Sequence, residues 1–141
     1  MATDFHCTVI TPERVVLDCD ADSVVFPAHD GEMGVLSHRA PLVCKLGIGP
    51  LRIVAPGDGG GAADTTKHLL FVDRGFVQML GNRLTILTEQ ARLPSELDAE
   101  AARQALDEAR AMRITDEASL TARANAIRRA QVQRDIAASG A

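Results

Sequence analysis

The stretch RLTILTEQARLPSELDAEAARQAL, Arg83 to Leu106, changes its rhythm part-way and with it the architecture of the chain. Its first part, RLTILT, is one of a series of short apolar runs with a period near two. From Ser95 the chain runs to Arg113 without Gly, Pro or a β-branched residue, which favours helix. Ser95 with Asp98 three residues on has the pattern of a capping box, so the spacing predicts a helix starting at Glu96 or Leu97. The switch therefore divides the chain at Leu93 and Pro94.

Working back from that point, Phe5, Cys7 and Val9 alternate with His6 and Thr8. Further apolar runs follow at RVVLD, SVVFP, APLVCKL, PLRIV, HLLFVD and GFVQML, punctuated by Pro, Gly, Asp and Asn. This pattern predicts many short antiparallel strands packed as a β-sandwich or flattened barrel over residues 1–93. Gly81-Asn82 between two of the runs is a compact hairpin signal. Ala55 to Lys67, APGDGGGAADTTK, has no core-forming side chains and reads as a flexible hairpin tip.

Working forward, Thr115 followed by Asp116 and Glu117 predicts a second helix, with its acids placed well against the helix dipole, ending near Ala138 before Ser139-Gly140. So short a connection makes residues 94–141 an antiparallel helical hairpin. The class is α+β, mostly β. Leu97, Leu106 and Met112 on the first helix, and Leu120, Ile127, Val132 and Ile136 on the second, form a thin stripe among alanines. At ~0.8 kcal/mol per buried methylene, such a seam gains less than a leucine-rich one, and the sequence leaves two readings open: a weakly held hairpin able to detach, or an ordinary solvated hairpin stabilised by the β half.

Composition narrows the function. Of 141 residues 46% are hydrophobic but only 3% aromatic, with no Trp or Tyr, so the core is aliphatic and base-stacking platforms are missing. A net charge of −4 supplies no basic field for nucleic acid. Cys7, Cys19 and Cys44 are odd in number and lack CxxC spacing, which suits small core or strand residues in a reducing compartment. No apolar run approaches the ~18 residues of a membrane span. The N-terminus MATDFHCTVITPERVV has neither a signal peptide nor a presequence pattern, so the expectation is a cytoplasmic protein without membrane insertion.

Chemical motifs are few. DCDAD, Asp18 to Asp22, opens like a calcium loop but has Ser23 where the turn needs glycine and His29 where a bidentate acid belongs; it reads as a strand edge or turn bearing charges against aggregation. His29, Asp30, Glu32 and His38 match no metal-ligand spacing, so no metal is expected. Gly47, Gly49 and the glycines at 57 and 59–61 are followed by no Lys-Ser/Thr, and no nucleophile has a base and supporting acid; no catalytic residue is expected. In LDEARA, Leu106 to Ala111, Asp107 and Arg110 share a helix face at i, i+3. They are candidates to hold a ribose and a phosphate, or an ordinary surface ion pair.

The order TPERVV, DSVVFP, GEMGVLSHRAPL (Gly31 to Leu42), LGIGPLRI, then a helical hairpin resembles, over essentially the whole chain, the epsilon subunit of the F-type ATP synthase, called delta in mitochondria. Members typically read Gly-Glu-Phe-Gly-Val-Leu-Pro-Gly-His-Ala-Pro-Leu across the third motif; here Met33 stands for Phe, Ser37 for Pro, His38 for Gly and Arg39 for His. The resemblance implies a non-catalytic rotor subunit without a cofactor, peripheral to the cytoplasmic face of a bacterial plasma membrane. It places Gly31, Glu32 and Met33 at a tight tip docking on basic loops of the c-ring, and Arg39, Ala40 and Pro41 at the gamma subunit. The hairpin would reach the alpha/beta catalytic head. The family's nucleotide motif falls in register on Leu97 to Ala102, where Asp98 is present but Ala101 replaces the arginine. The rival reading from the residues is a free-standing β-sandwich binding module with a helical appendage.

Overall fold

The computed structural model describes residues 4–28, 31–56 and 65–139. The glycine-rich centre of the expected hairpin tip, and His29 and Asp30, lie outside the described residues. Strands β1 (Phe5–Ile10), β2 (Val15–Ala21), β3 (Ser23–Ala28), β4 (Gly31–Leu36), β5 (Leu42–Pro56), β6 (Thr65–Leu80) and β7 (Arg83–Arg92) precede helices α1 (Ala99–Arg110) and α2 (Glu117–Ser139). They form one seven-stranded sheet in the order β2-β1-β7-β6-β5-β3-β4. The sheet folds over on itself: Val9 of β1 and Phe26 of β3, far apart in that order, are both fully buried in one aliphatic core with Leu51, Ile53, Leu84 and Ile86. Alternation sets which residues enter it, as in β1, where Phe5, Cys7 and Val9 point in.

The strands depart from expectation in two ways. β1 pairs with β7 in parallel, His6 opposite Arg83 through Ile10 opposite Leu87, so the sheet is not purely antiparallel. A parallel neighbour needs a long crossover, and here the rest of the sheet provides it. Secondly, APLVCKL and PLRIV are one strand, as are HLLFVD and GFVQML. The apparent break in β6 is a local distortion at Arg74 (φ 51) and Gly75 (φ 149). A Cβ on Gly75 would lie 1.8 Å from the Leu87 carbonyl oxygen, so glycine here permits close approach rather than ending the strand. The buried Thr88 hydroxyl sits against this kink, 2.9 Å from the Arg74 carbonyl, which accepts from it.

The helical half starts later than its sequence suggests. Pro94–Glu96 is a single 3-10 turn in which Glu96 Oε1 accepts from the Leu93 N–H at 3.2 Å. Leu97 stays extended and packs beside Phe71 and Ile48. The cap of α1 is Asp98, whose Oδ1 accepts from the Glu100 N–H at 3.1 Å, so neither Ser95 nor Leu97 opens it, and it ends at Arg110 rather than Arg113. Asp116 rather than Thr115 caps α2: Asp116 Oδ1 accepts from Ser119 N–H (2.8 Å) and Ser119 Oγ accepts from Asp116 N–H (3.0 Å).

Of the two readings of the hairpin, the one stabilised by the β half is the one observed. Ala102, Leu106 and Ala109 form the buried face of α1. Val132 and Ile136 of α2 belong to a second apolar cluster with Ile48 of β5 and Phe71 of β6, while Met112 and Leu120 are exposed. The stripe expected to close the two helices on each other is thus shared with the sheet. Burial of side chains such as Val132 and Ile136 contributes about 1.5–3 kcal/mol each, so the docked hairpin is firmer than its alanine content implies.

Candidate functional site

Gly31 and Glu32 open β4, an edge strand of the sheet. Both lie in the strand, at its first two pairs with β3: Gly31 pairs with Ala28 and Glu32 with Pro27. Gly31 has φ 132 with no atom within 4 Å of an added Cβ, so the backbone angle rather than space calls for glycine. Glu32 is exposed, but Arg52 Nη1 donates to its Oε2 at 2.8 Å from β5. Met33 is half-buried against the core, which leaves Gly31 and Glu32 as the accessible members of this set. Beside them an open cleft of about 680 Å³ is lined by Lys45, Phe76, Glu89 and Arg128.

Arg39, Ala40 and Pro41 are all exposed in the loop between β4 and β5. His38, at the start of that loop, is left-handed (φ 63), and its N–H donates to Oδ1 of Asn82 at 2.8 Å. From this loop the outward face of the sheet is unusually apolar. Val43 is 71% exposed, Phe76 55%, Leu80 57% and Leu87 49%. Phe76 and Leu87 are directly paired across β6 and β7. Sequence reading missed these four. The signal was present: in GFVQML and RLTILT the apolar residues occupy both phases of the alternation, and a strand with one buried face needs only one.

Of the strand edge or turn expected for the DCDAD segment, Asp18 to Ala21 form the strand edge, within the edge strand β2, and Asp22 follows it. Asp18 and Asp20 face the imidazole of His6 on β1: Nδ1 lies 3.0 Å from Asp20, and Nε2 contacts Asp18. Hydrogen bonds to Asp20 and then Asp18 raise the His6 pKa above its usual value. Among the described residues no group of His, Cys, Asp or Glu is arranged to hold a metal ion. Burial pushes the Cys7 thiol up to about 12, and the Cys19 and Cys44 thiols are raised by the same cause, which makes all three poor nucleophiles.

With this geometry in view, residues 4–94 match the family model described as ATP synthase, Delta/Epsilon chain, beta-sandwich domain. The chain belongs to the ATP synthase delta/epsilon family. It is 39% identical to the ATP synthase epsilon chain of Symbiobacterium thermophilum over 98% of this chain and 94% of that one. To that of Rhodopirellula baltica it is 36% identical over 91% and 94%. Among solved structures, a chain of the Euglena gracilis mitochondrial ATP synthase, OSCP/F1/c-ring in rotational state 1, superposes with a TM-score of 0.79. That match covers 96% of this chain and 82% of that one at 24% identity. A chain from the Tetrahymena thermophila mitochondrial ATP synthase central stalk/c-ring gives 0.65 at 14% identity over 94% and 95%. At these identities the likeness is one of fold.

Family membership makes the chain a structural and regulatory component of a membrane-associated ATP synthase, not a catalytic one. Among the described residues no helix is long and apolar enough to cross a membrane. In this delta/epsilon-family chain, Asp107 and Arg110 are both exposed on α1, beside its buried face. Asp98 is engaged as the cap of α1, its side chain accepting from the Glu100 N–H.

Proposed function

We propose that this chain is a rotor subunit at the foot of the central stalk, binding gamma through the sheet face beside Arg39, Ala40 and Pro41 and the c-ring loops through Gly31 and Glu32. It thereby couples proton flow to ATP synthesis on the cytoplasmic face of a bacterial plasma membrane. The observation that carries the reading is the paired Phe76–Leu87 patch, continued by Val43 and Leu80, on a chain of this family. An apolar face of this kind marks a protein interface rather than free surface. Phe76 also lines the cleft that Glu32 borders, so the two docking surfaces are contiguous.

The helical hairpin, residues 94–141, is the second unit of this proposal. Met112, Ile114 and Leu120 are exposed near the turn between its helices, which supports a contact with the alpha/beta head. Residues 1–93 carry the rotor contacts.

The test is co-expression of a tagged chain with gamma. Capture of gamma is expected from the wild type and is expected to fail for Phe76→Asp. Glu32→Lys is expected to retain gamma but to weaken assembly on the ring, most at low salt, since exposed charges are screened within about 8–10 Å. A wild-type chain that stays monomeric with gamma present would favour the free-standing module.

A further inference from the structure

We infer that Asn82, a residue of the turn between β6 and β7, is the positioning residue of the Arg39–Pro41 docking loop; this rests on the gamma-docking reading above. Asn82 is left-handed (φ 58), as is Gly81 before it (φ 59), so the turn requires residues that tolerate that conformation. Glycine would meet the requirement equally well. The asparagine side chain does something glycine would not: it reaches across the end of the sandwich to two other segments. Its Oδ1 accepts from the His38 N–H at 2.8 Å and its Nδ2 donates to the Asp4 carbonyl at 3.0 Å.

Both partners are backbone groups of fixed polarity, so the orientation of the amide is determined. The Ser37 hydroxyl lies 3.4 Å from Asn82 Oδ1 and from the Asp4 carbonyl, closing the same cluster. The Asn82 carbonyl in turn accepts from the His6 N–H at 3.2 Å. One residue therefore joins the lead into β1, the β6–β7 turn and the start of the loop.

The consequence is geometric. His38 is itself left-handed (φ 63), a conformation that a non-glycine residue holds only when its surroundings fix it. The hydrogen bond to Asn82 holds the His38 amide, the peptide link from Ser37, and so fixes the residue from which Arg39, Ala40 and Pro41 continue towards Leu42 and the exposed Val43. A loop held in one conformation before binding loses less entropy on docking than one that must be ordered. Asn82 touches the partner only through this effect, as a residue that sets the direction of others.

The experiment uses the full chain and the isolated gamma subunit, with Asn82→Gly, Asn82→Asp and, as a check of the docking surface itself, Phe76→Asp. Asn82→Gly keeps the turn and removes the side chain. It is expected to accelerate amide hydrogen exchange at His38 while that of the buried Leu84 is unchanged, and to weaken gamma binding about threefold to tenfold. Asn82→Asp retains the acceptor for His38 but opposes the Asp4 carbonyl, so it should keep His38 protected and fall between the two in affinity. Wild-type exchange at His38 in Asn82→Gly would overturn the clamp. Faster exchange with wild-type gamma affinity, while Phe76→Asp abolishes binding, would overturn the positioning role alone. Undiminished binding by Phe76→Asp would instead overturn the docking reading and the inference resting on it.

Discussion

Arg129, on α2, donates from Nε to the carboxylate of Asp73 at 2.6 Å, and Asp73 is only 4% exposed in the middle of β6. The same carboxylate accepts from Arg74 Nε at 2.8 Å, and Arg74 also meets Glu89 at 3.0 Å. Hydrogen bonding to Asp73 holds the Arg74 guanidinium above its usual pKa. An unpaired buried carboxylate is costly, so the two partners matter differently. Arg74 comes from the same strand and stays if the helix moves. Arg129 joins the site only when α2 lies on the sheet, together with Arg128, which donates to the Ile48 carbonyl at 3.2 Å. The ion pair thus ties α2 to the middle of β6.

Arg129→Ala is accordingly expected to weaken docking of α2 by about 1–3 kcal/mol while leaving the sandwich folded, since Asp73 keeps one charged partner. Hydrogen exchange separates the two effects. Amides around Val132 and Ile136 should lose protection, and those of Leu84 and Ile86 should not. Equal loss in both places would mean that the pair stabilises the whole chain.

His6 makes stability depend on pH. Its folded pKa is raised above 6.5 by Asp20 and Asp18, so the protonated form is favoured by folding. This contribution is fully present below pH 6.5 and is lost as pH rises through the higher folded value. The melting temperature should therefore fall on raising pH from about 6.5 upward, and His6→Gln should flatten that slope. Asp20→Asn and Asp18→Asn should each flatten it in part, because both carboxylates favour the protonated imidazole. An unchanged slope in His6→Gln would assign the pH dependence elsewhere.

These features differ in how far they can be read from sequence. The inward phase of Phe5, Cys7 and Val9 and the Gly81-Asn82 turn follow from local spacing, because each is decided within a few residues. The parallel β1–β7 pair, the Glu32–Arg52 bond and the seating of Val132 and Ile136 on Phe71 depend on which distant segments meet, and periodicity carries no information about that. Gly75 misled because a glycine that ends a strand and one that lets two backbones approach look alike in sequence. Leu97 misled similarly: its apolar side chain fits a helical stripe, but it is recruited in extended form to cover Ile48 and Phe71.

A chain ending at Pro94 is expected to fold on its own. Every member of the main core lies between Phe5 and Ala91, so truncation removes none of it. What it uncovers is Phe71 and Ile48, the platform for α2. Circular dichroism should retain the strand signal and a cooperative melt, with a lower melting temperature and self-association that Phe71→Ser relieves. Loss of the strand signal on truncation would make the two halves a single folding unit.

The hairpin is expected to bind ATP weakly or not at all at physiological concentrations. A nucleotide site needs a carboxylate and a guanidinium held towards one ligand by the fold. In the register that the resemblance implies, Leu97 to Ala102, the carboxylate of Asp98 already caps α1 through the Glu100 N–H, and Ala101 offers no guanidinium. The other candidates, Asp107 and Arg110, are oriented by burial of Ala102, Leu106 and Ala109, which leaves both on the solvent side of α1. Their neighbourhood is furnished for helix and hairpin contacts: Arg103 is drawn to Glu100 at 2.6 Å, and Arg123 donates to the Arg110 carbonyl at 3.1 Å. Each charge-assisted contact missing from a site weakens binding by about 1.5–3 kcal/mol, tenfold or more. Titration calorimetry of the full chain should detect no ATP binding with a dissociation constant below about 1 mM, and Arg110→Ala should behave as the wild type. Tighter binding abolished by Arg110→Ala would make LDEARA a nucleotide sensor despite its exposure.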